Sequence, residues 1–153
     1  MTLTAAILTG GRATRFGGRD KSALLVDGRS ILDRQIAELS KLTADILLVG
    51  GHAPHERARV VRDIVPLCGP LGGLHAALTE ARGDRTLVIA CDMPYVTSPL
   101  LAYLAALTRE AEAVVPQTER GYHPLCAAYT PACLEPVARR LADGRMKMID
   151  LMA

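Results

Sequence analysis

An α/β fold, an open and mostly parallel sheet with helices on both faces, is predicted by three features of this sequence. Short, continuous apolar runs alternate with longer stretches bearing helix start and stop signals, at the spacing of strand–helix units. The clearest runs, residues 4–8, 45–49 and 86–91, lack the polar alternation of a half-solvated strand, so they read as parallel strands buried on both faces. Half of the 153 residues are apolar but only 3% are aromatic, so the core must be aliphatic and alanine-rich, which suits helices packed closely on a sheet.

Taken in order, residues 4–8 form the first strand, which runs into Gly10 and Gly11. Lys21 opens the stretch Lys-Ser-Ala-Leu-Leu-Val, closed by the turn pair Asp27-Gly28. Ser30 is a good cap for a helix through Leu42, with Ile31, Ile36 and Leu39 on its inner stripe. Residues 45–49 are the second strand, stopped by Gly50-Gly51. Residues 52–59 are polar and read as a loop with one helical turn, and Val60-Val61 as a third short strand. Gly69-Pro70-Leu71-Gly72-Gly73 opens a helix over 71–81, ended by Gly83-Asp84. Residues 86–91 are the strongest strand, terminated by Asp92-Met93-Pro94. Ser98-Pro99, a cap followed by proline in the first turn, starts a helix to about Glu110. Residues 113–116 and 123–129 read as strands. Thr130-Pro131 repeats the cap-plus-proline signal for a helix to Leu141, and residues 146–151 read as a further short helix. The sequence holds no internal repeat, linker or low-complexity segment, and its length predicts a single domain.

Charge narrows the function. With 18 basic and 16 acidic residues the net charge is +2, a balance that offers nothing to nucleic acid or a membrane surface. Basic residues concentrate instead at Arg12, Arg15, Arg19 and Lys21, which points to a small anionic ligand. Cys68, Cys91, Cys126 and Cys133 show no Cys-x-x-Cys spacing and no paired histidines, so buried reduced thiols in a reducing compartment are expected. The first apolar run is too short for a signal peptide or membrane span, and a cytoplasmic location is expected.

Right-handed crossovers bring every strand-to-helix loop to one edge of such a sheet, where ligands bind beyond the carboxyl ends of the strands. Two chemistry-bearing segments sit there. The first runs Leu8-Thr9-Gly10-Gly11-Arg12-Ala13-Thr14-Arg15-Phe16-Gly17-Gly18-Arg19-Asp20-Lys21. Its glycines let backbone N–H groups converge on phosphate oxygens, and Arg15 and Lys21 add a forked donor and a mobile point charge. The residues alone fit a flexible basic surface loop about equally well. The Walker pattern is excluded because Asp20, not glycine, precedes Lys21, and Gly-x-Gly-x-x-Gly does not occur. The second segment is Asp92, a carboxylate just past a buried strand. Magnesium binds through one or two such carboxylates plus substrate phosphates; a turn or capping role before Pro94 is the alternative.

The glycine-rich stretch resembles the signature Leu-Ala-Gly-Gly-x-x-x-Arg-Met/Phe-Gly, followed by lysine, of the MobA-like nucleotidyltransferases, with Thr9 in place of the usual alanine. Cys91-Asp92-Met93-Pro94 resembles that family's Cys-Asp-x-Pro metal motif, and Gly69-Pro70-Leu71-Gly72-Gly73 its Gly-Pro-Leu-Ala/Gly-Gly segment over the nucleoside. Tyr122-His123-Pro124-Leu125 resembles its His-Pro-Leu segment on the pterin side, and Asp143-Gly144-Arg145 its Gly-x-Arg element. The resemblance spans essentially the whole chain. It implies a three-layer αβα sandwich with a Rossmann-like, mostly parallel sheet of the nucleotide-diphospho-sugar transferase type.

The implied activity is Mg²⁺-dependent transfer of GMP from GTP to the phosphate of molybdopterin, forming the guanine dinucleotide and releasing pyrophosphate. Arg15, Lys21 and Asp92 are the implied catalytic residues, with Asp92 the metal ligand. Leu8, Thr9, Gly10, Gly11, Lys21, His52, Asp63, Gly69, Pro70 and Asp92 are the implied nucleotide contacts. His52 stands where relatives often place asparagine at the base, and Asp63 where they carry an acidic residue near guanine. His123 and Arg145 are candidates for the acceptor phosphate. The resemblance further implies a cytoplasmic monomer that works with molybdoenzymes or other cofactor-assembly proteins. The family continues past this point through a strand and an Asn-x-Asn-Thr-Pro motif, so residues 1–153 are expected to be one domain without the family's C-terminal segment. The alternatives are a cytidylyl or sugar-phosphate nucleotidyltransferase, or a nucleotide-binding module without turnover.

Overall fold

The computed structural model describes residues 1–8, 30–50, 55–62, 69–145 and 147–148, and the backbone alone of residues 15–16, 19–20, 25–26 and 29. The unbroken apolar run near the start forms the central strand β1 (Leu3–Leu8). Two short antiparallel ladders follow: β2 (Arg15–Phe16) with β3 (Arg19–Asp20), and β4 (Leu25–Val26) with β5 (Arg29–Ser30). Helix α1 (Ile31–Ser40) starts where expected, because the Ser30 hydroxyl accepts the Asp33 amide at 3.0 Å and satisfies one orphan donor of the first turn. Then come β6 (Ile46–Val49), β7 (Arg59–Val61), α2 (Gly69–Glu80) and β8 (Arg85–Ala90). Helix α3 (Ser98–Leu107), β9 (Ala113–Val114), the hairpin β10 (Gln117–Thr118) and β11 (Gly121–Tyr122), β12 (Cys126–Tyr129) and α4 (Leu134–Ala142) complete the order.

The main sheet has six strands in the order β7-β6-β1-β8-β12-β9. The first four are parallel, and β12 and β9 join antiparallel at one side. Period-two alternation divides the strands between two cores. Ala5, Ile7, Ile46, Leu48, Leu87, Ile89 and Ala128 face α1 and α3, meeting Ile36, Leu39, Leu101 and Leu104. Ala6, Leu47, Val49, Val88, Ala127 and Tyr129 face α2 and α4, meeting Leu71, Leu74, Ala77 and Val137. Alanine supplies much of the sheet's surface toward the helices, the close approach that the low aromatic content predicts. Each fully buried leucine or isoleucine contributes about 1.5–3 kcal/mol. The expected open, mostly parallel sheet covered on both faces is the fold observed.

Several boundaries differ from expectation, each for a tertiary reason. The strand expected over 123–129 begins only at Cys126. His123 donates its amide to the Pro116 carbonyl, Pro124 has no N–H to give a ladder, and the Cys126 amide closes a turn on the His123 carbonyl. Helix α3 is capped at Thr97, not Ser98, and ends at Leu107. Ser98 is its first helical residue, with its amide donating to Glu38 of α1 at 2.8 Å. Helix α2 starts two residues earlier than expected, at Gly69, whose φ of +59° suits glycine. The Thr130-Pro131 signal opens a 3₁₀ turn over Pro131–Cys133 before α4. The late helix expected over 146–151 lies mostly outside the described residues. No described helix is long and apolar enough to cross a membrane.

Candidate active site

The site is built at the carboxyl edge of the parallel strands. In the β1–β8 pair, Leu8 lies opposite Ala90, and the Cys91 amide extends the pairing by donating to the Leu8 carbonyl at 3.2 Å. Asp92 follows in a turn, and its side chain is solvent-exposed. Its carboxylate has no ion pair or hydrogen bond among the described residues, so nothing there competes for its oxygens. On the other flank, the Ala90 amide donates to the Leu125 carbonyl at 3.0 Å, which brings the segment before β12 against the same strand end.

A cavity of about 480 Å³ opens at this edge, lined by Pro70, Met93, His123, Pro124, Leu125 and Lys147 among others. Three motifs singled out in the sequence, starting at Gly69, Cys91 and Tyr122, therefore share one wall system. Its character is apolar with one imidazole and one ammonium. The His123 Nε2 lies 2.7 Å from the Thr118 hydroxyl, which fixes the ring from the β10–β11 hairpin. The buried Tyr129 hydroxyl donates to the Pro124 carbonyl at 2.7 Å and holds the segment from beneath.

The structure places the expected residues as follows. Leu8 ends β1, half-buried, with its side chain against Gly73 of α2: a Cβ on Gly73 would sit 3.3 Å from Leu8 Cδ1. Gly69 and Pro70 are exposed at the start of α2. Arg15 pairs across the β2–β3 ladder with Asp20, so the residue preceding Lys21 lies opposite Arg15. The Arg15 side chain and the whole of Thr9, Gly10, Gly11, Lys21, His52 and Asp63 lie outside the described residues. Arg145 is exposed after α4, with its amide on the Arg140 carbonyl. It is Lys147, a residue sequence reasoning missed, that lines the cavity. Gln35 was missed too; its buried amide reaches the carbonyls of Ala90 and Met93 around Asp92.

The donor chemistry suits a hard cation at Asp92. An exposed carboxylate suits magnesium, which takes few protein oxygens and completes its sphere with phosphate and water. Among the described residues no group of three or more His, Cys, Asp or Glu side chains is gathered as a softer metal would need. No disulfide joins the three described cysteines, Cys91, Cys126 and Cys133. Burial pushes the Cys126 and Cys133 thiols up, away from the thiolate form a nucleophile requires.

This geometry can be set beside known proteins. The chain is 31% identical to a probable molybdenum cofactor guanylyltransferase of Clostridium perfringens, over 95% of this chain and 75% of that one. It is 32% identical to the molybdenum cofactor guanylyltransferase of Desulfosudis oleivorans, over 94% and 73% of the two chains. Among solved structures it matches molybdopterin-guanine dinucleotide biosynthesis protein A of Archaeoglobus fulgidus with a TM-score of 0.80 at 22% identity, covering 97% of this chain and 78% of that one. It also matches 2-C-methyl-D-erythritol 4-phosphate cytidylyltransferase of Thermus thermophilus, with a TM-score of 0.67 at 17% identity over 91% and 76% of the two chains. At those identities the structural likeness speaks for the Rossmann-like αβα fold alone. The family model described as the MobA-like NTP transferase domain matches residues 5–151. Because that match runs nearly end to end and the relatives cover almost all of the sequence, the chain belongs to the MobA-like NTP transferase family and is a nucleotidyltransferase.

Proposed function

We propose that the protein transfers GMP from GTP to the terminal phosphate of molybdopterin, with Mg²⁺, releasing pyrophosphate. The relatives named as molybdenum cofactor guanylyltransferases support the guanylyl donor and the cofactor acceptor. The single observation that carries the chemistry is the neighbourhood of the exposed Asp92 carboxylate and the apolar cavity whose wall includes Met93 and His123. One side offers a seat for a metal-bound triphosphate. The other offers an apolar recess for a ring system, with Lys147 and His123 on its wall as candidates for a phosphate.

An acceptor phosphate oxygen attacks the α-phosphorus of GTP in line. The new P–O bond forms as the bond to the β-phosphate's bridging oxygen breaks, and pyrophosphate departs. The protein's work is positioning and charge compensation rather than covalent catalysis. Asp92 would hold Mg²⁺, which when bound would supply neutralisation of the charge on the α-phosphate and the leaving pyrophosphate. Arg15 and Lys21 take the remaining phosphate charge. Thr9, Gly10, Gly11, Gly69 and Pro70 bring backbone close to the nucleotide, with His52 and Asp63 at the base.

Base selection decides between this activity and cytidylyl transfer. Gly10 stands where cytidylyl relatives carry alanine, and the absence of a Cβ leaves room for a purine. A carboxylate such as Asp63 can accept from guanine N1 and N2, which adenine cannot satisfy. Competition binding of GTP, ATP and CTP, followed by pyrophosphate release with molybdopterin, tests the assignment. GTP is expected to bind tightest and to turn over. CTP binding at least as tightly as GTP would instead make it a cytidylyltransferase, and GTP binding without pyrophosphate release would make it a nucleotide-binding module.

A further inference from the structure

Gln35 breaks the apolar inner face of α1. It sits four residues after Ile31 and four before Leu39, both buried, and is itself 0% exposed. Its Nε2 donates to the Ala90 carbonyl at 2.7 Å and to the Met93 carbonyl at 3.1 Å. Both partners can only accept, so chemistry fixes which way the amide faces. The two carbonyls bracket Cys91 and Asp92, so one side chain ties together both ends of the turn that presents the carboxylate.

The arrangement is costly for the fold. The Gln35 Oε1 is buried without a hydrogen-bond partner among the described residues, a penalty that an apolar side chain of the same length would not carry. The same helix face adds further ties. The Arg34 Nε donates to the Pro94 carbonyl at 3.3 Å, the Arg34 guanidinium lies 5.4 Å from the centre of the Tyr95 ring, and Glu38 accepts the Ser98 amide. Helix α1 thus grips the segment from Ala90 to Ser98 along its length, with Gln35 at the end nearest Asp92.

We propose that Gln35 is a positioning residue for Asp92, setting the turn from which the carboxylate meets the metal–nucleotide complex. This rests on Asp92 being the metal's seat, as proposed above. The test is calorimetric: GTP affinity with excess Mg²⁺ divided by GTP affinity with EDTA, for the parent protein, Gln35→Met and Asp92→Asn. Methionine keeps the length, removes both donors and removes the unpaired oxygen; the two carbonyls lose a donor each, so a modest fall in melting temperature is expected and the affinities are compared on folded protein. Outer-shell partners of metal ligands typically affect metal affinity by about 10–100-fold, and the Mg²⁺ gain of Gln35→Met should shrink by about that factor, approaching that of Asp92→Asn. A merely structural residue would leave the gain unchanged in folded protein. If Gln35→Met keeps the parent's gain while Asp92→Asn loses it, the Gln35 proposal is overturned and Asp92 stands. If Asp92→Asn keeps it as well, Asp92 is not the metal's seat and both fall. Should Gln35→Met fail to fold, Gln35→Leu decides on the same criteria.

Discussion

The Cys91 amide donates to the carbonyl of Leu8 at 3.2 Å, and this one bond joins the ends of the two strands that lead into the site. Thr9 follows one partner in the chain and Asp92 the other. The glycine-rich stretch, which begins at Leu8, and the metal-type carboxylate, far apart in sequence, thus leave the sheet from adjacent points. Parallel register does this work: Leu8 opposite Ala90 leaves both segments to emerge at the same edge.

Asp92→Asn is the first consequence. The exposed carboxylate makes no hydrogen bond or ion pair among the described residues, so its loss should leave the melting temperature unchanged. Turnover should fall by roughly 10²–10³-fold, the scale seen when one electrostatic stabiliser of a transition state is removed. Thermal melts with steady-state pyrophosphate release check both halves. A stable variant with normal Mg²⁺ dependence would move the metal to another residue.

Gly83→Ala tests the opposite end of the sheet. A Cβ there would lie 2.7 Å from the Leu3 carbonyl carbon, 2.8 Å from the Thr2 oxygen and 2.9 Å from the Thr4 nitrogen, all backbone atoms of the central strand's start. Backbone cannot rotate away as a side chain can. Overpacking of this kind costs about 1–3 kcal/mol, so the midpoint of urea unfolding should drop, with GTP affinity of the folded protein retained.

Asp45 makes a pH prediction. Partial burial pushes its carboxyl up, but hydrogen bonds from Arg59, Thr4 and the Arg82 amide, with the Arg59 charge, outweigh that and hold it below its ordinary value of 3.8. A carboxyl depressed in the folded state contributes stability that is fully present above the unfolded value. That stability is lost as pH falls through the folded value. Asp45→Asn should therefore destabilise the protein at pH 7 by about 1.5–3 kcal/mol, the range for hydrogen bonds to a charged group. Below about pH 4 the gap to the parent should narrow. Denaturant melts at pH 7 and pH 3 measure it; a gap constant across that range would show that the ionised form is not what these bonds favour.

How much of this was legible before folding depended on the range of the signals. The apolar runs and the Ser30 cap are local, and they gave the strands, the start of α1 and the edge at which Asp92 emerges. Gln35 was visible only as a polar residue at a stripe position between Ile31 and Leu39; its partners lie 55 and 58 positions away. Ser98 looked like a cap because nothing nearby announces that Glu38 takes its amide. The strand read through His123 and Pro124 failed because Pro116 and Tyr129 claim that backbone from outside. Motif resemblance points to Arg145 and says nothing of Lys147, because the cavity wall depends on how the chain leaves α4.

Tyr129→Phe probes the acceptor side alone. Its hydroxyl donates to the Pro124 carbonyl at 2.7 Å, and burial drives its pKa far above the ordinary tyrosine value, so it remains a donor at any working pH. The ring is fully buried among the residues packed on α2 and α4, and phenylalanine keeps that packing. What is lost is the tether beneath His123-Pro124-Leu125, at a cost of about 1 kcal/mol for one neutral hydrogen bond. The segment lines the cavity and is bonded to the strand end through the Leu125 carbonyl. Loosening it should raise KM for the molybdopterin acceptor several-fold while KM for GTP stays at the parent's value. Initial rates with each substrate varied at saturating levels of the other separate the two. An equal rise in both would mean that the cavity is shared by donor and acceptor rather than reserved for the acceptor.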